Sequence, residues 1–375
     1  STPVSLENAL TFVTPNPTSP AFNPQGSGVE AFGLPWKTGS THEWSGFLQY
    51  AITPSDSIQL GYIGSHSIHQ LNGWRTNVVN QIVPPGTKNQ NLLLPYPDFG
   101  QGQDFIAPNG DATYNGVQVT YERRMARGLY ALANWTESRC KLDFRNILND
   151  QNPGNGTLAR APGILGTKGD WSLCGDNSSR IVHIASTWEL PFGHGRVFGA
   201  NISGFVNQVF GGWDVNGIFD SQAGFPWSIG CPTSTVTDGL GCTALVVSGT
   251  SRYSQQGPHG IDHFFNQAAF KNPPIATTLG QTDLSPLGGF PTQVHGPGYN
   301  DLDFSIFKQF PVSERKYFEF RSEFFNLLNH PNFAGNSWAS LDYTQNPSSP
   351  NNNFARITNT RGNPRQTQLA LKFYW

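Results

Sequence analysis

The strongest constraint in this sequence is a series of segments in which apolar and polar residues alternate. In residues 44–53, Trp44 and Leu48 occupy one set of alternate positions and Gln49 occupies the other. Residues 57–66 show the same alternation after a short turn. A period of two is typical of a β-strand whose faces meet different surroundings, and two such segments across a short turn predict a hairpin.

Further pairs of segments follow the same plan, and a single alternating segment closes the chain. They are residues 114–123 with 129–136, 182–190 with 213–219, 302–309 with 318–324, and finally 366–375. A short helix is expected near residues 203–210. These segments predict about nine antiparallel strands.

The connections between the strands alternate between short turns and long loops. The long ones are rich in Gly, Pro, Asn and Ser and cover residues 72–112, 141–177, 230–299 and 334–353. Connections of this length are unusual inside a compact soluble domain. Transmembrane β-barrels have short periplasmic turns and long extracellular loops. The predicted fold class is therefore all-β, an antiparallel transmembrane β-barrel.

Composition excludes several other classes of protein. Charged residues make up 13% of the chain, aromatic residues another 13%, and the net charge is −2. Disorder requires few aromatics and a high net charge, and a helical membrane protein requires about 18 consecutive apolar residues. A pI near 6.5 gives no basic surface for nucleic acid. A large soluble sandwich or propeller, whose strands also alternate, is the alternative fold.

The C-terminus carries the sharpest local pattern. Leu369, Leu371, Phe373 and Trp375 alternate with other residues up to the chain end. This pattern resembles the closing strand of outer-membrane barrels, which the barrel assembly machinery reads. With Trp375 in the periplasm, counting strands backwards places residues 1–41 outside the cell as a loop segment of an incomplete barrel. Residues 42–375 are then expected to form the C-terminal part of the barrel, because bacterial barrels have an even strand number.

Three groups of residues resemble a known family. They are residues 211–217 with 224–227, residues 320–333, which include Phe-Asn-Leu-Leu-Asn-His-Pro, and residues 360–366 with the final strand. From about residue 42 onward, the chain resembles the Oar-like TonB-dependent transporters of acidobacteria. The resemblance implies a barrel of about 22 strands, filled by an N-terminal plug. It also implies uptake of a large or scarce substrate with energy from the TonB complex.

The four cysteines, Cys140, Cys174, Cys231 and Cys242, fall in predicted extracellular loops or at strand ends. An oxidising cell surface favours disulfides there, and several connectivities are open. The pairs Cys140–Cys174 and Cys231–Cys242 are favoured because each closes a single loop. A metal site is the alternative.

Two further groups of side chains are candidates for function. Five charged residues are predicted to face the lumen, either as a polar network lining the wall or as part of transport: Glu122, Glu189, Glu319, Arg321 and Glu323. Three loop aromatics, Trp171, Phe225 and Trp227, are expected either to touch substrate or to belong to the outer aromatic girdle.

The predicted function is that of a TonB-dependent outer-membrane receptor and transporter. No catalytic motif occurs in a supporting context, so we expect no enzymatic activity, cofactor or metal site. The expected partners are outer-membrane lipid, the barrel assembly machinery, the transported substrate, and the TonB complex through an N-terminal region outside this sequence. The alternative is a surface-exposed structural or adhesion barrel that binds a partner through its long loops without transport.

Overall fold

The computed structural model describes residues 30–76, 103–143, 171–202, 204–230, 244–254, 261–271, 294–313, 315–335 and 338–375. Its strands, in chain order, are β1 (Glu30–Phe32), β2 (Ser40–Ala51), β3 (Asp56–Thr76), β4 (Gln103–Ala126), β5 (Leu129–Leu142), β6 (Ser172–Leu173), β7 (Arg180–Glu189), β8 (Trp213–Gln222), β9 (Pro226–Trp227), β10 (Leu245–Val246), β11 (Phe270–Lys271), β12 (Val294–His295), β13 (Tyr299–Pro311), β14 (Tyr317–Phe325) and β15 (Gln366–Tyr374). One α-helix, α1 (Gly204–Phe210), and a 3₁₀ turn at Gln267–Ala269 are also present in these residues. No helix among the described residues is both long and apolar enough to cross a membrane.

The long strands form one antiparallel sheet in the order β15-β14-β13-β8-β7-β5-β4-β3-β2. Every long strand pairs with the long strands that precede and follow it in the chain, so the sheet is a meander. Within the described residues, β2 and β15 each pair with a long strand on one side only. The predicted antiparallel all-β fold is confirmed.

The two ends of this sheet differ in their connections. At one end, here called the turn end, the connections are residues 52–55, 127–128, 312–316 and a longer segment, 190–212, that contains α1. At the opposite end, the loop end, the long connections 77–102, 143–179, 223–298 and 326–365 join the strands. The expected helix near residues 203–210 is thus present.

The sheet has one apolar and one polar face. Leu60, Val119, Trp135 and Val182 are direct neighbours across adjacent strands on the apolar face. On the opposite face, direct neighbours across adjacent strands form a polar row. It consists of Gln59, Thr120, Asn134, His183, Asp220 and Asp301. Many large side chains of the apolar face remain exposed, including Leu60 at 51% and Leu371 at 67%. The sheet therefore does not pack its apolar face over a core of its own.

The main hydrophobic core lies in the long connections at the loop end. It consists of Ile229, Ala244, Phe264, Phe265, Ala269, Phe270, Val294, Tyr343, Phe354, Ala355 and Ile357. These residues come from only two connections, 223–298 and 326–365, which fold against each other. We call this cluster the loop core. Its aromatic side chains explain how segments so rich in Gly, Pro and Asn acquire fixed structure, since each buried aromatic contributes a large apolar area.

The predicted loop at residues 72–112 is too long, because β3 and β4 extend into it. These strands have 21 and 24 residues, whereas about 9–11 residues suffice to cross a bilayer. Alternation disappears in the extra length, for example at Pro108 and Asn109. Because periodicity detects a strand only where apolar and polar residues alternate, the outer parts of these strands gave no signal.

Candidate functional site at the loop end of the polar face

The predicted lumen residues all lie on the polar face of the sheet. Strand pairing places Glu122 and Glu189 on the same face as Glu319, Arg321 and Glu323. Glu189 forms an ion pair of 3.1 Å with Arg196, which belongs to the segment at the turn end. Whether these side chains act in transport stays a prediction.

Among the described residues, Glu319 and Arg321 form the most buried ion pair on this face. The Nε of Arg321 donates to the carboxylate of Glu319, whose side chain is only 10% exposed. The amide of Gln309 also donates to this carboxylate, at 3.5 Å. The guanidinium of Arg321 lies 5.1 Å from the ring centre of Phe307. A buried carboxylate needs such partners because desolvation of a lone charge is costly.

A cavity of about 290 Å³ opens where the polar face meets the loop end. It is lined by Tyr299, Asp301, Asp303, Phe325, Asn326, Gly362, Asn363, Pro364 and Gln366. The hydroxyl of Tyr299 donates to Asp301 at 3.1 Å, and the backbone N–H of Asn326 donates to Asp303 at 2.9 Å. The carboxylates of Asp301 and Asp303 supply acceptor oxygens to this lining, and these suit donor groups of a ligand or water.

Asp301 and Asp303 were not among the site residues predicted from the sequence. The available signal was their position two residues apart at the start of a strand, which places both on one face. Asp301 is also the direct neighbour of Asp220, whose carboxylate contacts the Nδ1 of His183. Among the described residues, no group of three or more His, Cys, Asp or Glu is arranged to hold a metal ion.

Asn326 lines this cavity, and Asn329 and Asn332 follow it in the same connection; we call these three residues the asparagine clasp. Asn326 donates to the backbone carbonyls of His330 and Asn363, both at 3.1 Å. Its side-chain oxygen accepts from the N–H of His330 at 2.9 Å. The clasp lies in the Phe-Asn-Leu-Leu-Asn-His-Pro segment, so the part of the sequence that carried the family resemblance has a structural role here.

Two of these asparagines require an unusual backbone. Asn326 has a φ of 49° and Asn329 a φ of 50°, a left-handed conformation that asparagine tolerates better than most residues. Asn329 accepts a hydrogen bond from the N–H of Arg365 at 3.2 Å. The clasp thereby ties the start of the β14–β15 connection to its end and holds the cavity open.

Arg361 fixes the other side of the same region. Its guanidinium lies 4.4 Å from the ring centre of Tyr299 and donates to the side chain of Gln222 at 3.1 Å. Cation–π contacts of this kind are favoured for arginine because its guanidinium is planar and weakly hydrated. The connection 326–365 is thus anchored on β8 and β13.

The predicted loop aromatics occupy different environments. Trp227 packs at the loop core, with its ring centre 6.1 Å from that of Trp338 in an edge-to-face arrangement. Phe225 is half-buried, and its carbonyl accepts from the N–H of Gly296 at 2.8 Å. Trp171 is half-buried just before β6. The position of Trp227 gives it a packing role in the loops, and contact with a substrate stays a prediction for all three.

A disulfide joins Cys140 and Cys174, one of the two pairs favoured from the sequence. It connects the loop end of β5 to the residue after β6, where the N–H of Cys174 also donates to the carbonyl of Cys140 at 3.1 Å. Cys231 and Cys242 lie outside the described residues. The bridge fixes the base of the connection between β5 and β7.

The comparison with protein families agrees with this architecture. The sequence profile of the outer membrane beta barrel domain matches residues 1–368. The chain belongs to this outer membrane β-barrel family. The predicted antiparallel barrel fold and the location in the bacterial outer membrane are therefore confirmed, whereas the number of strands in the complete barrel stays a prediction.

Two solved structures are similar to this outer membrane β-barrel. The crystal structure of BauA, the ferric preacinetobactin receptor from Acinetobacter baumannii, has a TM-score of 0.39 at 10% identity, covering 89% of this chain and 29% of that one. The outer membrane transporter YddB from Escherichia coli has a TM-score of 0.41 at 8% identity, covering 93% of this chain and 34% of that one. The chain thus spans about a third or less of their lengths. No curated protein matches the sequence significantly.

In an outer membrane β-barrel the outward face is apolar and carries aromatic girdles near the membrane boundaries. The apolar face of this sheet fits that description at the turn end. Phe373 lies on this face, with its ring centre 4.7 Å from that of Phe318 and 5.9 Å from that of Trp375. Leu369 and Leu371 share the face and are 68% and 67% exposed. We therefore call the apolar face the lipid face below.

Proposed function

We propose that this chain forms one side of the wall of a wide transport barrel of the TonB-dependent type, which takes up a large or scarce substrate. The polar row across six strands, from Gln59 to Asp301, carries this proposal. It lies on the face opposite the lipid and ends beside the acidic cavity at the loop end. A continuous polar wall suits a hydrated passage, and an acidic mouth suits a substrate that presents hydrogen-bond donors.

The proposal assigns the remaining functions to other parts of the transport system. A plug would fill the lumen, and its N-terminal region would contact the TonB complex. The barrel assembly machinery would read the closing strand through Leu369, Leu371, Phe373 and Trp375. We propose no enzymatic role for this chain.

Medium depletion in three strains tests the transport function. Cells with the intact full-length gene, cells lacking it and cells with inactive TonB are grown in the same complex medium, and the dissolved compounds are compared by mass spectrometry. We expect at least one compound to be consumed only when both the gene and TonB are active. If consumption is the same in all three strains, the transport proposal is wrong.

A second candidate function is adhesion or structural binding through the loops. The loop core supports it, because side chains such as Phe265 and Phe354 are 1% exposed and give the loops a fixed shape. A fixed surface can bind a partner without moving a substrate. Attachment of cells that depends on the gene but not on TonB would favour this function over transport.

A further inference from the structure

An apolar segment at the turn end is only partly covered by the other described residues. Residues 190–212 connect β7 to β8 and contain α1. Their large apolar side chains are exposed: Phe192 by 45%, Val197 by 80%, Phe198 by 56%, Phe205 by 79%, Val206 by 49%, Val209 by 39% and Phe210 by 62%. Such a concentration of exposed apolar residues marks an interaction surface.

The segment is held on the lipid face of the sheet. Lys308 and Trp213 are direct neighbours on that face. The indole N–H of Trp213 donates to the carbonyl of Val209 at 2.8 Å, and the ammonium of Lys308 donates to the carbonyls of Val209, at 3.4 Å, and of Gly211. The C-terminal end of α1 is therefore fixed at the level of the aromatic side chains at the turn end.

The surroundings of Lys308 explain why this lysine can occupy a lipid-facing position. Its side chain is buried, with the residue only 3% exposed. Its ammonium lies 5.0 Å from the ring centre of Trp213 and 5.1 Å from that of Phe310. These rings and the carbonyls of the segment satisfy a charge that lipid chains could not.

The fold of the segment itself is also defined. The side chain of Asn207 accepts from the N–H of His194 at 2.7 Å, which ties α1 to the preceding turn. Phe192 and Phe198 lie 5.4 Å apart between ring centres. The apolar residues are thus presented by a folded unit rather than by an irregular chain.

The position of the segment in the sheet limits what can cover it. It joins β7 and β8, which lie in the middle of the strand order and far from the edge strands β2 and β15. Additional barrel strands would pair at those edges and would not reach the segment. Its sequence contains no Asp or Glu, and Arg196 pairs with Glu189 of β7, so the segment itself brings no acidic group that would repel anionic lipid headgroups.

We propose that residues 190–212 form an interfacial anchor that docks into the phospholipid leaflet at the turn end of the barrel. α1 lies along the boundary between headgroups and acyl chains, and its apolar side chains enter the leaflet beside the lipid face. The anchor is continuous with the lipid-facing surface that the family already establishes, and it does not depend on transport activity. It fixes the depth at which this part of the barrel sits in the membrane.

Quenching by brominated phospholipids tests the anchor in the full-length protein. A small fluorescent amino acid replaces Phe205, and the protein is reconstituted in phosphatidylethanolamine and phosphatidylglycerol bilayers with bromine at different depths. The control probe replaces Ile218, an apolar residue that is 51% exposed but lies on the polar face. We expect loss of fluorescence at position 205, strongest with bromine near the headgroups, and none at position 218.

A second probe at Val206 guards against a local effect of the first substitution. The proposal is wrong if the probes at 205 and 206 are quenched no more than the probe at 218. In that case the segment faces the aqueous phase or a protein. Strongest quenching by bromine at the chain ends would also contradict an interfacial position.

Discussion

The side-chain amide of Asn332 pairs with both backbone polar groups of Asn300. Its oxygen accepts from the N–H of Asn300 and its nitrogen donates to the carbonyl, each at 2.8 Å. One side chain thus takes the place of a neighbouring strand at the loop end of β13. Asn332 is 5% exposed, so its side of these bonds is shielded from water, and its carbonyl accepts in turn from the N–H of Arg361.

Replacing Asn332 by alanine should release the β14–β15 connection from the sheet. The two backbone groups of Asn300 lose their partner, and because Asn300 is itself exposed, water replaces it in part, so we expect a cost of about 1–2 kcal/mol. Hydrogen exchange at Asn300 and Arg361 should accelerate, whereas exchange in β14 should change little. Asn351→Ala is the matched control because Asn351 is exposed, and equal acceleration in both variants would contradict the role given to the clasp.

Replacing Cys140 by serine should loosen the base of the connection between β5 and β7. The bridge spans 34 residues, and a loop of that size corresponds to about 3–4 kcal/mol in the chain-entropy treatment. Lys141, which pairs with Leu173, should become a site of tryptic cleavage, and Cys174 should react with maleimide. A tryptic pattern identical to that of the oxidised protein would show that strand pairing alone holds this region.

The loop core should lose stability in alkaline solution. Burial raises the pKa of Tyr343 to about 12, and the nearby charge of Asp342 acts in the same direction. In unfolded loops the phenol ionises near its usual pKa of about 10. Between these two pH values, Tyr343 is ionised in the unfolded state but still protonated in the folded state. The free energy of unfolding of the loop core should therefore fall as the pH rises from about 10 to about 12.

Protease sensitivity of the connections 223–298 and 326–365, measured as a function of pH, checks this behaviour. Tyr343→Phe keeps the ring that lies 6.3 Å from Phe270 between centres but cannot ionise. It should therefore lack this part of the pH dependence. Identical pH profiles for the two proteins would remove Tyr343 as the cause.

Removing the charge of Arg321 should destabilise the polar wall through Glu319. Arg321→Met keeps an unbranched stem near Phe307 but leaves the buried carboxylate with fewer partners, so the free energy of unfolding should fall by about 1–3 kcal/mol. The double variant Glu319→Gln with Arg321→Met should recover much of this loss in urea unfolding. Glu323→Gln, on the same face, is the control, and a single variant as stable as the unmodified protein would contradict the coupling.

Sequence periodicity predicted the strands of the sheet because their two faces meet lipid and a polar interior. It identified the alternation of Leu369, Leu371 and Phe373 and the pairing of strands across short turns. It failed for the outer parts of β3 and β4, where apolar and polar residues do not alternate, as at Pro108 and Asn109. Periodicity also cannot reveal the loop core, since residues such as Ile229 and Phe354 join one cluster through tertiary packing without any repeating pattern.

The candidate site was predicted only in part for a related reason. The charged residues of the wall follow from strand alternation, as Glu319 and Arg321 illustrate. The cavity depends instead on the left-handed backbone of Asn326 and on contacts to Asn363, distant in sequence. The presence of an asparagine in a loop does not indicate which residues it contacts. The sequence singled out these asparagines only because they lie in the segment that resembles a known family.

In this barrel wall, one face of each strand meets lipid and the other faces a hydrated interior. Spin labels placed one at a time along β15 test it most directly in the reconstituted full-length protein, with Cys231 and Cys242 replaced by serine. Labels at 369, 371 and 373 should collide mainly with oxygen, which concentrates in lipid. Labels at 368, 370 and 372 should collide mainly with a water-soluble nickel complex. Equal accessibility at neighbouring positions, without a period of two, would contradict the account.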